Sequence, residues 1–194
     1  MNDNHRIVSS ESEELILVDS DDNEIGYLSK AGCHDGGGVL HRAFSLFLFN
    51  DAGELLLQRR SDSKRLWPGY WSNSCCSHPR RGESMETATK RRLSDELNIE
   101  TDLDHVYSFC YTAKFDAAGS ENELCHVYLG RITGDVQPND SEIAGIRFIS
   151  GDALGEELSR CPEQFTPWFK QEWQELVGNH RDQLAHYCTP VGTE

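Results

Sequence analysis

Residues 67–96 read WPGYWSNSCCSHPRRGESMETATKRRLSDE: an aromatic run, two adjacent cysteines, a histidine, and then a segment with helical spacing. Ser84 is a residue type that caps helix N-termini. After it Met85, Thr89, Leu93 and Leu97 recur every four residues, with Ala88, Arg92 and Glu96 forming the adjacent stripe. The spacing predicts a helix that packs by the first stripe and presents Arg92 and Glu96 together. The segment before the helix, with Cys76 and His78, carries groups that react and reads as part of an active site.

Working outward, residues 15–18 and 24–28 flank the turn Ser20-Asp21-Asp22-Asn23 and predict a hairpin. A glycine-rich link, Gly36-Gly37-Gly38, precedes an apolar strand over 41–49, and a turn at 50–53 leads to a returning strand over 54–59. Further strands are expected near 105–113, 123–133 and 146–150, with Gly119 at a bend and Pro138 in a loop. Thr166-Pro167 fits an N-cap followed by proline at the first helical position, and Phe169, Trp173, Leu176 and Val177 supply that helix with a core stripe. Strands around a helix make an α+β fold.

The chain has 194 residues, 37% hydrophobic and 26% charged, which suits one globular domain over 1–194. The polar ends, 1–10 and about 180–194, are expected to be loosely ordered. No apolar run approaches the ~20 residues of a bilayer span, and the acidic start has no signal-like segment, so a cytoplasmic location is expected. Cys33, Cys75, Cys76, Cys110, Cys125, Cys161 and Cys188 are an odd number without a CxxC pair, against a disulfide framework or a zinc ribbon. A formal charge of -15 opposes nucleic-acid and anionic-membrane partners. Yet between Arg59 and Arg92 nine basic residues face three acidic ones, a local excess of six positive charges. That concentration suits a small, highly charged anion such as a diphosphate; a solvated basic face is the plainer alternative.

Glu121 and Glu123 lie two apart, which on a strand puts both carboxylates on one face. With His34, His41 and His78 they would form a nitrogen and oxygen donor set for manganese, magnesium, iron or zinc; surface carboxylates and satisfied histidines are the alternative. Cys76, in the cationic region, is a candidate thiolate with a pKa lowered by neighbouring positive charge, against the alternative of simple packing. Tyr111 and Trp168 are core residues by default.

Together the paired histidines in GCHDGGGVLHRAF, the segment LLLQRRSDSKRLWPGYWSNSCCSHP, the helix ETATKRRLSDELNIE, the tripeptide ENE with Cys125 after it, and FTPW resemble type 1 isopentenyl diphosphate isomerases of the Nudix superfamily. The resemblance runs from about residue 15 to 168. It implies mixed β-sheets sandwiched by helices, with an N-terminal β-hairpin extension and C-terminal helices. The Nudix box falls on 77–99 in degenerate form. Glu83, Arg91, Leu93, Glu96 and Ile99 match, while Ser77, Arg92, Asp95 and Asn98 replace the first glycine, two glutamates and the second glycine. Arg92 thereby turns a metal ligand into an anion ligand, which disfavours diphosphate hydrolysis.

The resemblance further implies that His34, His41, His78, Glu121 and Glu123 hold one divalent metal, manganese or magnesium, with zinc as a further candidate. Glu96, with a main-chain carbonyl near Cys76, would bind a magnesium bridged to the substrate diphosphate. Lys30, Arg60, Lys64 and Arg92 match the family's diphosphate contacts. The implied reaction is a 1,3-proton shift between isopentenyl and dimethylallyl diphosphate through a tertiary carbocation. Glu123 is expected to be the acid at C4 and Cys76 the base at C2, Tyr111 hydrogen-bonded to one carrier, and Trp168, with Trp71 as a second candidate, facing the cation. The chain is expected to act on this small molecule as a monomer or weak dimer. The rival readings are a Nudix hydrolase of a nucleoside or other diphosphate and a non-catalytic sensor of a phosphorylated ligand.

Overall fold

The computed structural model describes residues 6–188, and strand β3 (His41–Phe49) is its hub. Alternate β3 side chains enter two separate cores. Ala43, Phe47 and Phe49 pack with Trp168, Phe169, Trp173 and Leu176, whereas Phe44, Leu46 and Leu48 pack with Ala88, Leu93 and Leu97. A near-continuous apolar run is what a strand covered on both faces requires, and the resulting sandwich of sheet between helices matches the expected α+β fold.

β3 pairs in parallel with β8 (Gly119–Arg131) over nine residue pairs, from His41↔Glu123 to Phe49↔Arg131. It pairs antiparallel with β6 (Cys75–Ser77), touches β1 (Glu14–Val18) at Leu17↔His41, and turns into β4 (Leu55–Arg60) at Phe49↔Leu55. The predicted hairpin is formed by β1 and β2 (Glu24–Ser29). Beyond β4 lie β5 (Trp71–Ser72) and β9 (Ile143–Ile149), and beyond β8 lies β7 (Leu103–Asp116). β7 and β8 are longer than expected, and Gly119 opens β8 rather than bending a loop.

The α-helices are α1 (Lys30–His34), α2 (Met85–Leu97), α3 (Gly151–Arg160), α4 (Pro167–Asn179) and α5 (Arg181–Leu184); α1, α3 and α5 are not among the elements expected from the sequence. α2 begins as predicted, with Ser84 Oγ accepting from the Thr87 amide at 3.1 Å. It ends at Asn98 in the left-handed conformation (φ 54°), which asparagine tolerates better than most residues, so the Nudix-box glycine is replaced without breaking the cap. Thr89, Leu93 and Leu97 are buried as expected, but so is the second stripe: Arg92 and Glu96 are each 2% exposed. The reason is that Val8 and the 139–142 turn cover that stripe.

At α4, Pro167 takes the first position and Thr166 the cap position, yet the Thr166 hydroxyl caps nothing; its Oγ1 is 3.0 Å from Ser72 Oγ in the core. Val8 is buried near one end, and Leu184 and Cys188 are buried near the other. Residues 1–5 and 189–194 lie outside the described residues. No helix among the described residues is long and apolar enough to cross a membrane.

Candidate active site

Sheet register brings the reactive residues together. Glu123 on β8 faces His41 on β3 and, on its other side, Tyr111 on β7. Ser45, four residues after His41 and so on the same face, is opposite Cys76 on β6, which places His78 just past the end of that strand. Glu121 precedes Glu123 by one pleat. α1, capped by Ser29 Oγ accepting from the Gly32 amide, carries His34 into the same space. That approach depends on Gly119 (φ 148°), because a Cβ there would come within 2.2 Å of the His34 carbonyl oxygen.

One ligand atom from each of His34, His41, His78, Glu121 and Glu123 lies within 4.8 Å of all the others. Main-chain carbonyls fix two of the imidazoles. His34 Nδ1 is 2.8 Å from Lys30 O and His41 Nδ1 is 2.7 Å from Val39 O; a carbonyl only accepts, so both Nδ1 atoms carry the proton. Each Nε2 then faces carboxylate oxygen, 2.8 Å from Glu121 Oε2 for His34 and 3.5 Å from Glu123 Oε1 for His41. His41 Nε2 and Glu121 Oε2 are buried without any hydrogen bond of acceptable geometry. Imidazoles and carboxylates this close in a buried site call for positive charge between them, and three imidazoles with two carboxylates are a donor set that could hold a divalent metal.

The titrations agree with a crowded ionic cluster. Burial pushes His34 down, but the Glu121 charge and contact outweigh it and raise its pKa to about 9. Burial dominates at His78, lowering it to about 3 despite its 2.7 Å hydrogen bond with Glu123 Oε1. Burial opposes ionisation of Glu123, but the His41 and His78 imidazoles against it hold it well below the usual carboxylate range. Tyr111 Oη donates to Glu123 Oε2 at 2.6 Å.

Cys76, Tyr111, Glu121, Glu123 and Trp168 line one cavity together with Lys30, Arg60, Lys64 and Arg92. The four cations found from charge and resemblance are therefore assembled at one place, and Arg65 joins them. Arg60 is clamped by carbonyls, Nε donating to Trp67 O (3.1 Å) and Nη2 to Leu66 O (2.9 Å), while its guanidinium sits 5.2 Å from the centre of the Trp168 ring. The Trp168 face thus already accommodates a cation. Trp71, the second candidate ring, does not line the cavity and stacks under Arg147, while Trp67 backs Trp168 from outside the lining, packed edge-on at 5.3 Å.

The thiolate expected at Cys76 is not supported. Burial pushes the Cys76 thiol up to about 12, and Arg60, with Nη1 3.8 Å from the sulfur, offsets only part of this. Glu96 stays apart from the histidine cluster: Arg92 Nε donates to its Oε1 at 2.8 Å and the Cys75 sulfur lies 3.4 Å away. Two buried acids escaped the sequence reading. Glu142 bridges Lys64 and Arg92, and Glu172 on α4 is pushed up to about 8 by burial beside Cys125 and Ser45. Glu142 follows a polar loop and Glu172 interrupts the apolar stripe of α4, a weak signal in retrospect.

Among known proteins, the NUDIX domain matches residues 39–169. Isopentenyl-diphosphate Delta-isomerase 1 of Photorhabdus laumondii is 42% identical over 177 residues, covering 89% of this chain and 99% of that protein. Isopentenyl-diphosphate Delta-isomerase of Serratia proteamaculans is 43% identical over 173 residues, covering 89% and 96%. In three dimensions the chain is similar to DR0079 from Deinococcus radiodurans, with a TM-score of 0.69 at 22% identity over 84% of this chain and 98% of that one. It also resembles a MutT NUDIX hydrolase from Burkholderia pseudomallei (TM-score 0.56, 18% identity, 71% and 98% covered).

Proposed function

This chain belongs to the isopentenyl-diphosphate Delta-isomerase family of NUDIX-domain proteins, and on that premise we propose that it interconverts isopentenyl and dimethylallyl diphosphate using Cys76 and Glu123 as its two proton carriers. The observation that carries this reading is that a thiol, a carboxylate and a π-face line one cavity beside four cations. Lys30, Arg60, Lys64 and Arg92 would grip the diphosphate. Binding energy from that remote group holds a five-carbon chain in register with the carriers.

Adding a proton at C4 of the alkene creates a tertiary cation at C3, and removing one from C2 completes the shift. Trp168 presents ring surface to the cation, an interaction worth about 2 kcal/mol or more when desolvated. The buried Trp67 and Trp168 pair also excludes water that would otherwise capture the cation as an alcohol. Whichever carrier gives a proton to C4, the other takes one from C2, and the roles exchange in reverse. We keep Glu123 as acid at C4 and Cys76 as base at C2. Since burial favours the proton on sulfur before substrate binds, this direction requires the proton to cross to the carboxyl first. Tyr111 steadies the Glu123 oxygen it bonds.

His34, His41, His78, Glu121 and Glu123 would hold a divalent metal, which we assign as manganese or magnesium, and its charge would fix Glu123 and tune its acidity. A magnesium at Glu96 would accompany the diphosphate. Incubation with isopentenyl diphosphate in deuterated water tests the reading: label in the methyl group of dimethylallyl diphosphate supports it. Phosphate release from nucleoside diphosphates without isomerisation would replace it with the hydrolase reading.

A further inference from the structure

We infer that Glu142 is a positioning residue for the substrate diphosphate: a buried carboxylate that sets Lys64 and Arg92 from behind as a matched pair of anion ligands. The inference rests on the diphosphate reading above. Glu142 is 5% exposed, and its Oε2 accepts from Arg92 Nη2 at 3.0 Å and from Lys64 Nζ. Lys64 and Arg92 line the cavity, whereas Glu142 does not. The carboxylate therefore holds both cations from the side away from the ligand space.

The main chain makes Glu142 a rigid anchor. Its carbonyl oxygen accepts from the Ser61 amide (2.9 Å), three residues before Lys64, and its own amide donates to Asn139 O (3.0 Å). The Asn139 amide in turn donates to Glu96 O (2.8 Å), and Asn139 Nδ2 donates to Asp95 O (3.2 Å), in the last turn of the helix that carries Arg92. One short turn, 139–142, thus joins the loop bearing Lys64 to the helix bearing Arg92.

This arrangement serves binding in two ways. Lys64 is a long, flexible side chain, and fixing its ammonium in advance removes part of the rotamer entropy that ligand binding would otherwise have to overcome. The shared anion also relieves repulsion between two cations held close together in a buried place. An acid serving only surface solubility would be exposed and would not bridge two cavity-lining cations.

Glu142→Gln keeps the shape and removes the charge. Two measurements test it: affinity for inorganic pyrophosphate with Mg2+ by calorimetry, and kcat and KM for isopentenyl diphosphate. The expected result is that pyrophosphate Kd and KM rise about tenfold or more while kcat changes less than about threefold. In a double-mutant cycle Lys64→Met should add less on top of Glu142→Gln than it costs alone. Unchanged pyrophosphate affinity in the folded variant, or full additivity with Lys64→Met, overturns the role of Glu142 and leaves the isomerase reading standing. A wild-type protein that neither binds pyrophosphate nor isomerises overturns both. Should Glu142→Gln fail to fold, Glu142→Asp keeps the charge but shortens the reach; a rise in KM is then expected, and wild-type KM would dismiss the proposal.

Discussion

His41 stands directly opposite Glu123 in the parallel β3–β8 ladder, and Tyr111 stands opposite the same Glu123 in the antiparallel β7–β8 ladder. One transverse row of the sheet thus carries a candidate metal-ligand imidazole, a candidate proton carrier and its hydrogen-bond donor. Strand register places them, so a slip of one residue would send Glu123 to the opposite face.

Loss of the metal should abolish isomerisation, and manganese or magnesium should restore it. His41→Ala should weaken metal binding by more than the roughly 10–100-fold typical of residues that only support a ligand. Metal content after dialysis, read by mass spectrometry, checks this; full occupancy in His41→Ala would remove His41 from the ligand set.

Cys76→Ser should lower kcat by about 10²–10⁴-fold, the usual contribution of one proton carrier, with pyrophosphate affinity unchanged. Because burial pushes the thiol up to about 12, little thiolate exists near neutrality, and iodoacetamide should modify exposed Cys110 well before Cys76. Peptide mapping over time reads the order.

Tyr111→Phe removes one hydrogen bond to an ionised acid, worth about 1.5–3 kcal/mol, and should reduce kcat by about 10–100-fold. Pyrophosphate binding should not change. Equal losses in kcat and in affinity would show that Tyr111 acts on the fold rather than on Glu123.

Glu172 gives a pH signature. Burial raises its pKa from 4.5 to about 8, so the native state binds this proton more tightly than the unfolded chain. The associated stability is fully present below about pH 4.5 and is lost as pH rises through about 8. Denaturant midpoints of wild type should fall across that window relative to Glu172→Gln, and parallel curves would contradict the assignment.

Gly119→Ala should push the new Cβ against the His34 carbonyl, 2.2 Å away before any relaxation. We expect a loss of about 2 kcal/mol or more in unfolding free energy. Since the clash falls on a candidate metal ligand, metal affinity should drop as well, which an unrelated surface lesion would not cause.

The amino-acid pattern alone located β3, α2 and the first hairpin. HRAFSLFLF, short, aromatic-rich and bounded by Gly38 and the 50–53 turn, suits a strand covered on both sides, and the four-residue spacing after Ser84 suits a helix. It also marked the chemistry of the site, because motifs at five separated places occur in one order; the charge excess was a weaker guide, since of its nine cations only Arg60, Lys64, Arg65 and Arg92 line the cavity. Local periodicity carries such information, since it depends on near neighbours along the chain.

Tertiary structure decided the rest. Arg92 and Glu96 read as a presented pair and are buried, because Val8 and the 139–142 turn, distant in sequence, close over them. The ionisation of Cys76 depended on whether burial or the Arg60 charge prevailed, and burial prevailed. Glu142 and Glu172 left almost no trace in the chain because their roles arise from partners 47 to 78 residues away. Desolvation and long-range pairing are properties of packing, and no window of sequence contains them.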